Sequence, residues 1–169
     1  DIKVWLGVWV GKDLPIFQQE RARLLELLVD FRDSFDHVEG IHVSSEAIFR
    51  VEVTAPQAIK MRAIIKADFV DFGLGRLPVT IADSIDTNIE FPSLTTVDDI
   101  AVTFNQFPFW EKNVDINGAR NYMSDRVALV EQQAEKRQII ITETGWADSG
   151  TNAESNPANP ASMAKWLRE

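Results

Sequence analysis

The feature that most constrains the fold is a fivefold alternation of short apolar segments with amphipathic ones. The apolar segments are near-continuous runs that occupy residues 2–10, 40–45, 77–82, 99–104 and 138–142. Runs of this kind are typical of strands that are covered on both faces, as in parallel sheets. Parallel strands need a crossover connection, and most of the intervening segments have the spacing of helices. The order therefore predicts an α/β fold with a parallel sheet.

The helices are predicted from apolar spacing and from capping residues. Residues 17–31 repeat apolar side chains at helical spacing, and Thr54 followed by Pro56 predicts the start of a second helix. Asp115 is predicted to start another helix and Ser162 to cap the last one. The connection between the third and fourth strands predicts only a short helix or an irregular loop. Because no linker or repeat divides the chain, we expect residues 1–169 to form a single domain.

Composition excludes several classes of function. The chain has 17 Lys and Arg against 26 Asp and Glu, a net charge of −9, and no basic run, so we expect no nucleic-acid partner. No stretch reaches the roughly 20 apolar residues of a membrane span. The absence of Cys excludes disulfides, thiolate metal sites and a Cys nucleophile in this chain. Without a HExxH motif, an EF-hand or a phosphate loop, we expect no metal and no other cofactor.

Polar side chains follow four of the five predicted strands. Glu46, Asp83, Asn105 and Glu143 each come directly after an apolar run. The carboxyl ends of parallel strands meet at one edge, where binding and catalytic groups collect. A single carboxylate there is more often a cap or a salt-bridge partner, and this alternative stays open for Asp83. Two glutamates after apolar strands suggest the carboxylate pair of a glycoside hydrolase, in which one is an acid and the other a nucleophile or base.

Aromatic and histidine residues near these strand ends have alternative interpretations. Trp146 follows Glu143 in ITETGWADSG, and Trp110 lies in NQFPFWEK, so both could stack on a sugar ring. An isolated Trp at a strand end is more often a core residue. His42 lies on a strand and is interpreted as a core histidine or one behind the site, while His37 is expected to be exposed. Ser44, Ser45 and the histidines lack the G-x-S-x-G turn of a serine hydrolase.

Several segments resemble glycoside hydrolase family 17, the β-1,3-glucanases and β-1,3-glucanosyltransferases. IIITETGWADSG is similar to the nucleophile segment of that family, and GIHVSSEAIFR to its acid/base segment. VWLGVWV, LPVTIAD and NQFPFWE follow in the family's order, and the fungal cell-wall branch fits best. The resemblance implies a (β/α)8 TIM barrel with Glu46 as general acid/base after barrel strand four and Glu143 as nucleophile after strand seven. Since the family retains anomeric configuration, we expect the two carboxyl groups about 5–5.5 Å apart.

The resemblance also implies a set of substrate-binding residues. Those expected to bind the glucan are Ser45, Asp83, Asn105, Phe107, Trp110, Glu111 and Trp146. Two of them depart from the family pattern. Ser45 stands where many relatives have an Asn that binds the sugar 2-hydroxyl, and Phe107 stands where the family motif N-x-Y-P has Tyr. Both departures leave the two catalytic carboxylates in place.

The length of the chain matters for this interpretation. A (β/α)8 barrel has about 250 residues, and five strands in 169 residues correspond to a partial barrel of about strands 3–7, incomplete at both ends. The resemblance implies a monomeric enzyme that is secreted to the cell surface or the cell wall and acts on β-1,3-glucan by hydrolysis or transfer. The alternative is a non-catalytic glucan-binding or structural wall protein on a decayed glycosidase scaffold.

Overall fold

Strands and helices alternate along the computed structural model, which describes residues 2–150 and 157–168. Within that part of the chain the strands are β1 (Val4–Val8), β2 (Val38–Ser45), β3 (Val79–Ser84), β4 (Ala101–Asn105) and β5 (Gln138–Glu143). The α-helices there are α1 (Leu14–Asp30), α2 (Ala55–Asp71), α3 (Ile85–Glu90), α4 (Ala119–Ala134) and α5 (Pro160–Trp166). The predicted alternation is confirmed. The short connection between β3 and β4 contains α3 and a 3₁₀ turn, Pro92–Thr96.

The sheet is wound in one direction. All the described strands are parallel, and each pairs with its predecessor in sequence, in the order β1-β2-β3-β4-β5. This order requires every connection to return along the same face of the sheet, as in a (β/α)8 barrel. The described residues therefore form a half-barrel, which is the partial fold expected from the sequence. The carboxyl ends of all these strands lie at one edge.

The main core lies between the sheet and the helices α1 and α2. Its fully buried side chains include Leu28, Ile41, Val43, Ile65, Phe69 and Val79. The central strands β3 and β4 are buried at nearly every position, whereas β1 and β5 at the ends of the arc are largely half-buried or exposed. Ile2 lies before β1 and is 83% exposed, so the expected start of a buried strand at residue 2 is wrong. Within β1 the exposed positions reflect its place at the end of the arc, where a strand has a paired neighbour on one side only among the described residues.

The start of α2 is the predicted one. Thr54 is its N-cap and forms a capping box with Gln57, in which each side chain accepts a hydrogen bond from the other residue's backbone N–H. This arrangement satisfies two of the N–H groups that a helix leaves unpaired at its first turn. The capping residues are close together in the sequence, so the start of α2 could be predicted from the sequence alone.

Two other predicted helix starts are wrong by a few residues. The carboxylate of Asp115 accepts hydrogen bonds from the N–H groups of Asn117 and Gly118, and α4 begins at Ala119. Asn159 caps α5 by accepting a 2.8 Å hydrogen bond from the N–H of Ser162. In both cases a short polar side chain closes a turn just outside the helix, and sequence periodicity does not separate such a turn from the first helical turn.

A buried carboxylate ties the amino-terminal ends of β3 and β4 to α2. Asp98 is 2% exposed and accepts hydrogen bonds from the backbone N–H groups of Val79, Ile100 and Ala101. The guanidinium of Arg62 donates to it at 2.8 Å. Each oxygen of the carboxylate is therefore occupied, as burial of a charge requires. This cluster lies at the opposite end of the strands from Glu46 and Glu143.

The partners of Asp98 also decide its ionisation. Burial alone would raise the pKa of Asp98, but the backbone hydrogen bonds and the charge of Lys66 outweigh burial, so its pKa lies below the ordinary value of 3.8. A group with a lowered pKa in the folded state stabilises that state above the unfolded pKa. The contribution is lost as pH falls from 3.8 through the lower folded value.

We expect Asp98→Asn to lower the free energy of unfolding by about 3 kcal/mol at neutral pH, because it leaves Arg62 buried without its charge partner. The measurement is urea unfolding of the protein at pH 7 and at several pH values below 4. The loss should shrink as the pH falls, since the wild-type carboxylate is then protonated.

The matched control is Asp36→Asn, which removes an exposed ion pair with Arg76 at 3.6 Å. It should cost at most about 1 kcal/mol. Equal losses for the two variants, or a loss for Asp98→Asn that does not depend on pH, would contradict the assignment.

Candidate active site

The carboxyl edge of the half-barrel holds a cleft with a volume of about 500 Å³. Most of the predicted site residues line it, because the parallel strands bring their ends together. Those that line it are Glu46, Asn105, Phe107, Trp110, Glu111 and Glu143. Glu46 follows β2 and Glu143 ends β5, so residues almost 100 positions apart share one cavity. The arrangement brings two carboxylates and several aromatic rings to the same surface.

The backbone around Glu46 leaves the sheet abruptly. The register of β2 against β3 shifts between Val43 and Ser45, and both Ser44 and Glu46 have positive φ values of 82° and 55°. The N–H of Glu46 still donates to the carbonyl of Ala82 at 3.0 Å. Left-handed conformations are uncommon for residues other than glycine and persist where the surroundings hold them. Strain of this kind collects at functional sites.

Asp83 holds the turn after Glu46 and is not a cleft residue. Its side chain is fully buried, and its carboxylate accepts hydrogen bonds from the N–H groups of Ile48 at 2.9 Å and Phe49 at 3.1 Å. It also accepts one from the N–H of Ser84 at 2.9 Å. These backbone contacts favour the alternative left open by the sequence, a carboxylate that caps a loop. The substrate contact expected of Asp83 stays a prediction.

Asn105 contacts Glu46 directly. Its amide nitrogen donates to Oε1 of Glu46 at 3.0 Å, and its amide oxygen accepts from the hydroxyl of Thr142 at 2.5 Å. Asn105 is 2% exposed and its two partners are half-buried, so the amide is covered while Glu46 stays open to the cleft. Sequence reasoning placed Asn105 at the cleft but missed Thr142. The available signal was a hydroxyl residue inside the otherwise apolar strand that leads to Glu143.

Ser45 lies on the other side of Glu143. Its hydroxyl donates to Oε1 of Glu143 at 3.4 Å, a long hydrogen bond, and both residues line a second cavity of about 490 Å³. Arg50 supports this region, since its guanidinium donates to the carbonyl of Ser45 at 2.6 Å and lies 5.0 Å from the ring centre of Trp9. Glu143 is thus shared by two adjoining cavities. The glucan contact predicted for Ser45 stays a prediction.

The second cavity contains a stacked aromatic pair at its base. The ring of His42 lies parallel to that of Trp5 at 4.5 Å, and its Nδ1 is 3.0 Å from the hydroxyl of Thr80. Burial lowers the pKa of His42 to about 4, so this histidine is neutral at neutral pH. Trp5 also crosses Gly40 so closely that a Cβ there would lie 2.2 Å from its ring. His42 is thus a packed, neutral histidine that also lines the second cavity.

The two tryptophans expected to stack on sugar have different surroundings. Trp110 is 62% exposed at the cleft. Trp146 is 5% exposed, packs against Phe109 and Trp166, and donates its indole N–H to the carbonyl of Pro157. These contacts favour the alternative that a Trp at a strand end belongs to the core. The stacking of Trp146 on the substrate stays a prediction.

The cleft also contains residues that sequence reasoning did not single out. They are Phe49, Ser84, Ile85, Asp86 and Gln106. Phe49 is 60% exposed, and it follows Glu46 at a distance of three residues in the same turn. Gln106 is 3% exposed, and neither end of its amide has a hydrogen-bond partner among the described residues. Beside the cleft, burial and a hydrogen bond to Glu111 raise the pKa of Tyr122 to about 12.

Two further properties concern ligands and membranes. In residues 2–150 and 157–168 no group of three or more His, Asp or Glu side chains has an arrangement suited to a metal ion. None of the helices in the same ranges combines the length and the apolar character needed to cross a bilayer.

Both a family model and individual proteins that match this chain are glycoside hydrolases. The family model described as the BtgE/BtgC glycoside hydrolase domain matches residues 1–169. A probable glucan endo-1,3-beta-glucosidase of Aspergillus clavatus is 27% identical over 168 residues, which cover 94% of this chain and 23% of that protein. A glucan 1,3-beta-glucosidase of Schizosaccharomyces pombe is 29% identical over 157 residues, which cover 86% of this chain and 46% of that protein.

Solved structures show the same fold. The glycoside hydrolase family 17 β-1,3-glucanosyltransferase of Rhizomucor miehei superposes with a TM-score of 0.82 at 25% identity, over 98% of this chain and 58% of that one. An active-site mutant of the Rhizomucor enzyme in complex with laminaritriose gives a TM-score of 0.83 at 23% identity. The chain spans between about a quarter and a half of the length of the two curated relatives. Because the family model matches from the first residue to the last, the chain belongs to the BtgE/BtgC glycoside hydrolase domain family, within glycoside hydrolase family 17.

Proposed function

We propose that the complete protein carrying this chain is a retaining glycosidase or transglycosylase that acts on β-1,3-glucan. Glu143 is the nucleophile and Glu46 the general acid/base. The observation that carries the proposal is that these two glutamates, from the ends of β5 and β2, line a single cleft beside exposed aromatic rings. The relatives named above are glucanases and a glucanosyltransferase, which supports the choice of glucan.

The reaction follows from the two carboxylates. Glu143 attacks the anomeric carbon as the glycosidic C–O bond breaks, and Glu46 gives its proton to the departing oxygen. In the second step Glu46 takes a proton from water or from a sugar hydroxyl, whose oxygen attacks the anomeric carbon and releases Glu143. Water leads to hydrolysis and a sugar hydroxyl leads to transfer. The spacing of about 5–5.5 Å that this mechanism requires stays a prediction.

The charge of the cleft suits a neutral polysaccharide. The residues that line it include the carboxylates Glu46, Asp86, Glu111 and Glu143, and no Lys or Arg among the described residues. A neutral glucan is not repelled by this lining, whereas an acidic polysaccharide would be. The proposal includes a secreted or wall-associated location and a monomeric state, in keeping with a polymer substrate outside the cell.

Substitution of the two glutamates tests their catalytic roles. In the complete protein, Glu143→Gln should lower kcat on laminari-oligosaccharides by more than about 10³-fold, and Glu46→Gln by about 10²–10⁴-fold. The measurement is release of new reducing ends. Glu39→Gln is the matched control, because Glu39 is an exposed residue of β2, the strand that Glu46 follows, and its substitution should leave the rate unchanged. Full activity of Glu143→Gln would overturn the nucleophile assignment.

The same incubation separates the alternatives. Products longer than the starting oligosaccharide mean transfer, and shorter products alone mean hydrolysis. Binding of glucan by the wild-type protein without any change of products would instead support the non-catalytic wall protein. Ser45 and Phe107, which depart from the family pattern, are the residues that motivate this second candidate.

Substitution of Trp110 tests its role in glucan binding. Its exposed ring offers a flat apolar surface to a sugar, so Trp110→Ala should raise KM for laminari-oligosaccharides about tenfold and leave kcat nearly unchanged. The control is Phe31→Ala, which removes an aromatic ring of 57% exposure outside both cavities described above. The same KM for wild-type protein and Trp110→Ala would exclude the stacking role.

A further inference from the structure

We propose that Thr142 and Asn105 are positioning residues for Glu46, and that the hydroxyl of Thr142 gives the Asn105 amide a partner whichever end of the amide meets the Glu46 carboxyl. The inference rests on the proposed function, because it assigns to Glu46 the role of general acid/base. It adds two residues that touch neither the scissile bond nor the nucleophile in the mechanism above.

The contacts form a chain across three strands. The hydroxyl of Thr142 on β5 lies 2.5 Å from the amide oxygen of Asn105 on β4, whose nitrogen lies 3.0 Å from Oε1 of Glu46 after β2. Asn105 is 2% exposed, whereas Glu46 and Thr142 are half-buried, so the amide itself is covered. An unpaired amide in such a position is costly.

The chemistry of the three groups explains why an amide and a hydroxyl are used. An ionised carboxylate only accepts, so the nitrogen of Asn105 must face it while the hydroxyl of Thr142 donates to the amide oxygen. A protonated carboxyl donates, so the amide oxygen can then face it, provided that Thr142 accepts from the amide nitrogen. A hydroxyl can do both, since it is donor and acceptor at once. Asn105 thus keeps partners in both protonation states through which an acid/base catalyst must pass.

The alternative, a purely structural hydrogen bond, is less consistent with the surroundings. Thr103, on the same strand as Asn105, is also buried, and its hydroxyl contacts the hydroxyl of Thr80 and the carbonyl of Ile81. That hydroxyl leads through Thr80 to the ring of His42, which is neutral at neutral pH, whereas the hydroxyl of Thr142 contacts the amide that meets Glu46. Thr103 therefore supplies a matched control for a strand threonine that contacts neither Glu46 nor Asn105.

The test uses the complete protein and two donors with different leaving groups. One is a laminari-oligosaccharide, whose departing sugar oxygen needs a proton. The other is a dinitrophenyl glycoside of the same oligosaccharide, whose leaving group needs none, measured in the first turnover. We expect Thr142→Val to lower kcat on the oligosaccharide by about 10- to 100-fold with KM nearly unchanged, and to lower first-turnover release of dinitrophenolate by less than about threefold.

Three further variants complete the design. Thr142→Ser keeps a hydroxyl and should restore most of the lost rate. Thr103→Val should change the rates on the two donors by the same factor. Asn105→Ala should show the same difference as Thr142→Val between the rate losses on the two donors. It serves as the test if Thr142→Val does not fold. Equal losses on both donors for Thr142→Val, or for Asn105→Ala in its place, would overturn the inference. Failure of Thr142→Ser to restore the rate would do so as well.

Failure of the proposed function gives a different pattern. Glu46→Ala should itself lose the oligosaccharide reaction and keep the dinitrophenyl reaction, whereas Glu143→Ala should lose both. If Glu46→Ala does not separate the donors, the acid/base assignment is wrong. If Glu46→Ala affects the two donors differently and neither Thr142→Val nor Asn105→Ala does, only the positioning role of Thr142 and Asn105 is wrong.

Discussion

Parallel pairing of consecutive strands is the constraint on which the site depends. Because each strand pairs with its predecessor and runs in the same direction, residues that end different strands lie at the same edge. Glu46 and Glu143 are distant in sequence, yet they line one cleft for this reason. The winding of the sheet, more than any single contact, brings together the groups that the proposed chemistry needs.

The acidic residues at the strand ends have different roles, and their hydrogen-bond partners explain the difference. Asp83 and Asp98 are buried, and each is held by several backbone N–H groups, so both stabilise turns and strand ends. Glu46 has an amide partner in the cleft, and the carboxylate of Glu143 accepts a long hydrogen bond from Ser45. A carboxylate whose oxygens are taken by the backbone supports the fold, whereas one with free capacity can meet a substrate.

Much of this organisation could be predicted from local signals. The strands, the capping box at Thr54 and the importance of Glu46 and Glu143 follow from apolar runs and from short motifs. The helix starts at Asp115 and Ser162 are displaced for a local reason, a turn closed just outside the helix. The surroundings of Asp83 and Trp146 depend on distant partners, since the first caps the loop after a neighbouring strand and the second packs against other aromatic rings.

The alternation of strands and helices, the parallel sheet and the positions of the polar residues at the strand ends follow from the order of the amino acids alone. These features depend on periodicity and on neighbours along the chain, which a sequence displays directly. Which of those residues are open to the cleft, and which way the amide of Asn105 faces, depends on the folded structure. Burial and hydrogen-bond partnership across strands arise from packing of segments far apart in sequence, and no local pattern records them.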